Sequence, residues 1–350
     1  MGIKLIHTAD LHLSEKKAET IVALDEILRI AKEEKADIVT ISGDMFDSTS
    51  DAENLRPQLR ERFSDNDFEI IVIPGNHDVD VYSEGYDFGN NFIPMTKYPF
   101  QEFKKDNVNL LAVPYVESLT NDVLSKIKNQ TRKDKINILL LHCTLDIGFC
   151  KGDFGEKETK YCPISQAMLA KLSFDYVLSG HFHKETKIIK LTPSSSFIYP
   201  GSPVSLTEKE LGKRNVILIE IDNKEARKIP MNSFYYDKLF VNVIPGKEKE
   251  AIFEIKEWIK NHTSEKCNLE IYVDGFIQVR EKDFRMSLPK SNENVKVILR
   301  HKGISKVKKH PLYMRFKEKL LEMELTYKQE IDRVVIEVMS ELIADRKVRD

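Results

Sequence analysis

The chain has 350 residues, 41% hydrophobic and 31% charged, a balance that supports one large or two folded domains and excludes a fibrous or intrinsically disordered protein. Its 54 Lys and Arg against 56 Asp and Glu give a formal charge of −2, which taken alone argues against a nucleic-acid binder. No apolar run approaches the roughly 20 residues that span a bilayer, and the N-terminus turns polar too soon for a secretory signal. Four cysteines (Cys143, Cys150, Cys162, Cys267) without a Cys-x-x-Cys pair fit a reduced cytoplasm, the expected location, each as a small buried apolar residue.

In chain order, residues 3–8 and 37–42 are β-rich runs flanking a stretch whose apolar positions (Ile21, Leu24, Ile27, Leu28, Ala31) step at helical spacing. The alternation continues with a helix around 52–63, strands at 69–73 and 108–113, a helix at 117–128 and a strand at 136–141. Runs this apolar predict strands buried on both faces by helices. From residue 174 strands dominate, at Asp175–Leu178, Thr186–Leu191, Phe197–Tyr199 and Asn215–Ile221, and close a first domain near 225. A smaller α/β unit follows, with strands at 239–244, 269–273 and 295–300 and a helix at 248–261 that holds the only Trp, Trp258. Beyond Pro311, apolar residues Phe316, Leu320, Met323, Tyr327, Ile331, Val334, Val338 and Leu342 mark one long or two shorter amphipathic helices. The expected division is a domain over 1–225, an accessory α/β domain over 226–305, and a basic linker with C-terminal helices over 306–350.

Charge is unevenly placed. Residues 1–100 carry 10 basic and 20 acidic side chains, and the remainder 44 and 36. From Asn294 to Lys317 no acid occurs, while Lys296, Arg300, Lys302, Lys306, Lys308, Lys309, Arg315 and Lys317 supply eight cations. The plain reading of that segment is a solvated linker; the rival is contact with a phosphate backbone, through Lys306, Lys308 and Lys309 in particular.

Each apolar strand of the first domain ends in a polar cluster: His7-Thr8-Ala9-Asp10-Leu11-His12, Gly43-Asp44-Met45-Phe46-Asp47, Gly75-Asn76-His77-Asp78, Leu141-His142-Cys143 and Gly180-His181-Phe182-His183. Strand C-terminal ends of an open α/β sheet are where ligands sit. A lone His is more often an ordinary hydrogen-bonded residue than a ligand, but six of the nine histidines fall in these five clusters. Asp10, His12, Asp44, Asn76, His142, His181 and His183 make seven candidate ligands, too many for one tetrahedral site. Their mix of carboxylate, imidazole and amide suits Mn²⁺, Fe²⁺ or Zn²⁺ and two ions sharing a carboxylate.

Asp-x-His, Gly-Asp-x-x-Asp, Gly-Asn-His-Asp, a His after an apolar strand and Gly-His-x-His, in this order over about residues 1–225, resemble the calcineurin-like metallophosphoesterases. Within them, His7-Thr8-Ala9-Asp10-Leu11-His12-Leu13, Gly43-Asp44-Met45-Phe46-Asp47 and Tyr199-Pro200-Gly201-Ser202-Pro203 look most like the SbcD-type exonucleases of DNA double-strand-break repair. The resemblance implies a β-sandwich flanked by helices, with a small α/β capping and DNA-binding domain over 226–305 and C-terminal helices. It implies Asp10, His12 and His183 on a first metal, Asn76, His142 and His181 on a second, Asp44 bridging, and manganese as the usual ion. His77 matches the catalytic histidine that protonates the leaving oxygen, and Asp47 the carboxylate that pairs with it and raises its pKa. Some archaeal relatives have a histidine where Asp47 stands, which leaves a DNA-positioning role for that side chain open. Protein serine/threonine phosphatases of the wider family have Arg directly after the second Asp of Gly-Asp-x-x-Asp; Ser48 here favours a diester over a terminal phosphate.

The expected activity is thus a manganese-dependent DNA exo/endonuclease in DNA repair, a homodimer working with an SbcC-type coiled-coil ATPase gripped by the C-terminal helices. The alternatives are a small-molecule phosphodiesterase or nucleotidase of the same fold, and a non-catalytic scaffold that binds DNA ends.

Overall fold

The computed structural model describes residues 2–82, 87–145, 161–262 and 266–345; Cys150 lies outside them. The first part of the chain runs β1 (Lys4–Thr8), α1 (Ala18–Glu34), β2 (Ile38–Ser42), α2 (Thr49–Arg62), β3 (Glu69–Ile73), β4 (Phe92–Pro94), β5 (Gln101–Lys105), β6 (Val108–Ala112), α3 (Asn121–Lys128), β7 (Ile136–His142), β8 (Thr144–Leu145), β9 (Pro163–Ile164), α4 (Gln166–Ala170), β10 (Tyr176–Gly180), β11 (Lys187–Thr192), β12 (Ser195–Tyr199), β13 (Asn215–Glu220) and β14 (Glu225–Pro230). Two six-stranded sheets result, ordered β14-β13-β1-β2-β3-β4 and β11-β12-β10-β7-β6-β5. Parallel pairs form their centres, and antiparallel strands β13, β14, β11 and β5 lie toward the edges.

Side chains alternate faces along a strand, so a strand apolar at every position must be covered twice. Leu5, Ile38, Ile71 and Ile73 of the first sheet meet Leu110, Ile138, Leu140 and Leu178 of the second in a shared layer. The intervening Ile6, Val39, Ile41, Ile70 and Val72 pack under α1 and α2 through Leu24, Ile27, Leu55 and Leu59. On the far side, Leu111, Leu139, Leu141 and Val177 lie under Val123 and Ile127 of α3 and Leu169 of α4. The fold is therefore a β-sandwich flanked by helices. Each sheet has helices on one face only, and the other face is covered by the opposite sheet, which corrects the expectation of helices on both faces.

Several boundaries move for local reasons. α2 starts at Thr49 because the Ser48 hydroxyl accepts the Asp51 N–H at 3.2 Å, and α3 starts at Asn121 because Thr120 caps it by accepting from Val123 N–H at 3.3 Å. β4, β5 and β14, unforeseen, are short or polar strands toward the sheet margins. β14 carries the first sheet beyond residue 225, and the first compact unit extends over Met1–Tyr235.

The second unit, Tyr236–Asp350, is built from β15 (Tyr235–Val243), α5 (Glu248–His262), β16 (Cys267–Ile277), α6 (Glu281–Ser287), β17 (Val295–Leu299), β18 (Lys302–Gly303), α7 (Ser305–Lys308), α8 (Pro311–Glu322) and α9 (Lys328–Asp345). Its sheet has the order β15-β16-β17, with β18 also pairing β16. The C-terminal segment forms separate helices that belong to this unit: Val307, Tyr313 and Ile336 pack on Phe276 of β16, and the Tyr313 hydroxyl donates to Asp332 at 2.7 Å. Of the apolar stripe read from the sequence, Leu320 is buried, while Met323, Tyr327, Val334, Val338 and Leu342 remain exposed.

Candidate metal centre

Parallel pairing in register brings the C-terminal ends of β1, β2 and β3 together along one sheet, and Gly180 beside His142 along the other. The chain leaves these strands in unusual conformations. Asp10, His12, Asp44 and His181 all have positive φ, at 55°, 44°, 50° and 94°. Such backbone costs of order 1 kcal/mol or more per residue and persists where surrounding bonds impose it. Here Asp10 N–H donates to Gly43 O at 3.1 Å, His12 N–H to Asp44 O at 3.0 Å and Leu13 N–H to Met45 O at 2.8 Å, lacing the first two loops together. Close approach also demands glycine: a β-carbon on Gly75 would stand 2.1 Å from Asp44 Oδ1.

Two clusters result, sharing Asp44. In the first, Asp10, His12, Asp44 and His183 converge, with His12 Nε2 and His183 Nε2 3.4 Å apart and His183 Nε2 3.8 Å from Asp10 Oδ1. In the second, Asp44, His142 and His181 converge. His142 Nε2 lies 3.3 Å from Asp44 Oδ2 and 3.1 Å from Asn76 Oδ1. Asp10 also accepts the His181 N–H with both oxygens at 2.9 Å, joining the two halves. All seven candidate ligands are thus brought together.

Supporting bonds orient the rings. His142 Nδ1 bonds the Ser42 carbonyl at 2.8 Å, which places an N–H there and aims Nε2 at the cluster, the atom a metal would bind in place of its proton. Asp10, His12, Asp44 and His142 are buried, and among the described residues no Lys or Arg pairs with either carboxylate. Burial pushes the Asp10 carboxyl above its usual range against the pull of His183 and His142. Burial opposes charge on Asp44 as well, but His142, His12 and His77 outweigh it and hold that carboxyl low. His142 is penalised by burial, yet neighbouring Asp44 and Asp10 raise it to about 9. The two carboxylates favour positive charge, and two carboxylates, four imidazoles and an amide oxygen in two groups fit two divalent cations that accept mixed N and O donors.

Asp47 stands between two imidazoles: its Oδ1 lies 3.3 Å from His12 Nδ1, Lys17 Nζ is 4.0 Å from Oδ2, and Asp47, His12 and His77 form a group whose ligand atoms lie within 4.8 Å of one another. The Asp47 carboxyl is held low, first by His12. His77 is exposed; its backbone N–H donates to Asp44 Oδ1 at 2.9 Å and its ring lies edge-on to His12 at 4.8 Å. Ser48 caps α2. Lys306 and Lys308 on α7, and Lys309 after it, are exposed in the second unit.

Four supporting residues had no role in the sequence reading. Glu210 Oε1 lies 3.5 Å from His183 Nδ1, repeating on that ring what Asp47 does on His12. Buried Arg214 donates to the carbonyls of Ser202, Lys184 and His183, clamping the loop that carries His183; burial lowers it to about 10. Ser202 donates to Asp10 O at 2.9 Å. Buried Asp78 accepts from Gly75 N–H at 2.6 Å, Met45 N–H at 2.9 Å and Tyr82 OH at 2.7 Å, tying the second and third loops. Only Ser202 and Asp78 lay within quoted motifs; Glu210 and Arg214 sit in turn-rich sequence with no signal of their own.

Residues 3–185, over half of the chain, match the family model described as calcineurin-like phosphoesterase. The chain belongs to this family. This calcineurin-like phosphoesterase is a metal-dependent hydrolase of ester bonds with an intact binuclear Asp/His site. It is similar to solved structures of GAP50, the anchor in the inner membrane complex of Plasmodium (12% identity, 65% of this chain and 89% of that chain, TM-score 0.41), and of a dimetal phosphatase from Danio rerio (10%, 65% and 96%, 0.43). It is also similar to phosphopantetheinyl hydrolase from Mycobacterium tuberculosis (15%, 58% and 90%, 0.34). No described helix is long and apolar enough to cross a membrane.

Proposed function

We propose that this phosphoesterase hydrolyses phosphodiesters, with one cation on Asp10, His12 and His183, a second on Asn76, His142 and His181, and Asp44 shared; manganese leads iron and zinc as the occupant. The observation that carries the reading is the pair of clusters meeting at Asp44 with exposed His77 at their rim. When bound, such a metal pair neutralises phosphate charge and supplies the nucleophile near neutral pH. His77, held by its backbone on Asp44 Oδ1, gives a proton to the departing oxygen. Asp47 and Glu210 lie against the Nδ1 atoms of His12 and His183, which turns Nε2 of each ring inward. Ser48 is engaged as a helix cap and carries no charge, which supports a diester over a dianionic monoester. Steady-state hydrolysis of bis-p-nitrophenyl phosphate and p-nitrophenyl phosphate with Mn²⁺ tests this: the diester is the better substrate, and preference for the monoester refutes it.

The family and the metal cluster support a small phosphodiester or nucleotide directly. A DNA nuclease is the second reading. It is supported by the resemblance of the His7–Leu13, Gly43–Asp47 and Tyr199–Pro203 motifs to SbcD-type exonucleases and by the acid-free segment Asn294–Lys317 with exposed Lys306, Lys308 and Lys309. In that reading the protein is a homodimer, and Val334, Val338 and Leu342, exposed on α9, dock on an SbcC-type coiled coil. Mn²⁺-dependent cleavage of end-labelled DNA supports it; hydrolysis of small esters alone retires it. Val334→Asp with Val338→Asp then removes ATPase co-purification and spares small-ester hydrolysis.

A further inference from the structure

One face of the sheet in the second unit is core, and among the described residues the other is half-exposed on β16, with Phe240 of β15 exposed beside it. Leu269, Ile271 and Val273 of β16 are buried, and Glu270, Tyr272 and Asp274 alternate with them toward the opposite face. There Phe240 of edge strand β15 lies parallel to Tyr272, with ring centroids 4.9 Å apart and planes 10° from each other. The Arg300 guanidinium sits 4.7 Å from the Tyr272 centroid. Phe240, Tyr272 and Arg300 together form a stack of aromatic rings and a cation.

Phe240 is 67% exposed, although a phenylalanine gains most when its ring leaves water. With one ring face on Tyr272, its other face is available at the sheet margin. The platform beneath it is held in place. Tyr272 OH donates to Glu270 Oε2 at 2.8 Å, and Glu270 is bracketed by Lys238 Nζ at 3.1 Å and Lys296 Nζ at 3.2 Å. Positive side chains therefore stand beside a fixed, half-free aromatic stack, and β17 opens the stretch of chain that bears eight cations and no acid.

We propose that this face binds single-stranded nucleic acid, with a base stacking on the free face of Phe240 and the phosphates meeting Lys238, Lys296 and Arg300. Stacking on an aromatic side chain next to cations suits single strands of any sequence, because every base has a π-face. A duplex keeps its bases paired and stacked inside, so it gains little from Phe240. The inference rests on and deepens the DNA reading of the second unit, assigning it single strands and named residues; oligo(dT) binding without DNA cleavage would retire the nuclease reading alone.

The test uses the full-length chain, a fluorescently labelled oligo(dT) of about 15 nucleotides and a hairpin duplex of equal charge, followed by anisotropy at one fixed salt concentration. Phe240→Ala is expected to weaken oligo(dT) binding about ten-fold and leave the duplex unchanged, as one lost stacking contact predicts. Phe240→Trp is expected to keep the affinity, with its added fluorescence quenched by the oligonucleotide. Arg300→Ala, which removes the far layer, is expected to weaken oligo(dT) binding too. Because Phe240 is exposed, thermal unfolding and bis-p-nitrophenyl phosphate hydrolysis report any failure of fold or centre separately. Wild-type oligo(dT) affinity in Phe240→Ala overturns the proposal, as does equal loss for both oligonucleotides or absence of oligo(dT) binding by the native chain, which leaves the face to a protein partner.

Discussion

Asp78→Ala asks most of the supporting framework. The Asp78 carboxylate is buried, touches no candidate metal group directly, and accepts hydrogen bonds from Gly75 N–H, Met45 N–H and Tyr82 OH at 2.6–2.9 Å. The alanine leaves these three close donors, and the longer Phe46 N–H at 3.4 Å, without an acceptor; at roughly 1–3 kcal/mol for each close donor, a loss of about 3–9 kcal/mol of stability is expected. Relaxation of the loops and water entry favour the lower part of that range. Tyr82→Phe removes one donor together with its share of the bond, and about 1 kcal/mol is expected. The same donors belong to the loops carrying Asp44 and Asn76, so Asp78→Ala also weakens Mn²⁺ binding, and Tyr82→Phe leaves it nearly unchanged. Urea unfolding of the metal-free proteins gives the first quantity and calorimetric Mn²⁺ titration the second. A loss below about 1 kcal/mol with native metal affinity would show that Asp78 does not organise these loops.

Other substitutions separate chemistry from architecture. His77→Ser is expected to retain metal while hydrolysis of bis-p-nitrophenyl phosphate falls about 10²–10⁴-fold, the usual worth of a positioned proton donor; native turnover removes His77 from the mechanism. Gly75→Ala drives a β-carbon against Asp44 and is expected to destabilise the chain and abolish activity together, which thermal unfolding and turnover of one preparation check. His142 titrates near 9 in the metal-free chain, above its ordinary 6.5. Its charged form is favoured by folding, so this contribution is fully present below about pH 6.5 and is lost as pH rises through 9. A metal must displace that proton, so Mn²⁺ affinity is expected to rise over the same interval with proton release. Titrations in buffers of different ionisation enthalpy measure the release, and pH-independent affinity contradicts it.

The strands and helices of the first unit were legible because the strands are apolar on both faces and the helices between them keep a 3.6-residue period; the sandwich itself entered only through the family resemblance. What covers each face was not, since a helix and a second sheet demand the same apolar run. The convergence of the candidate ligands was legible because the five clusters sit at strand ends, where parallel pairing aligns them. Their supports were not: Glu210 reaches His183 and Arg214 reaches the carbonyls of Ser202, Lys184 and His183 only through tertiary folding, and nothing nearby in sequence announces either. Asp47 shows a finer limit. The motif places its carboxylate beside the centre, but His12, not named as its partner, is the imidazole at 3.3 Å, and His77 completes the same group within 4.8 Å. In the C-terminal helices the period was clear and the buried face was not, because Tyr313, Leu320 and Ile336 are buried while Tyr327 and Val334 stay in solvent.

The central claim is a binuclear centre that shares Asp44, and counting metal per chain tests it most directly. After dialysis with excess Mn²⁺ and removal of free ions, elemental analysis of the native chain is expected to find about two ions, and Asp44→Asn fewer than one with hydrolysis lost. One ion or none in the native chain, or two ions and full activity in Asp44→Asn, would contradict it.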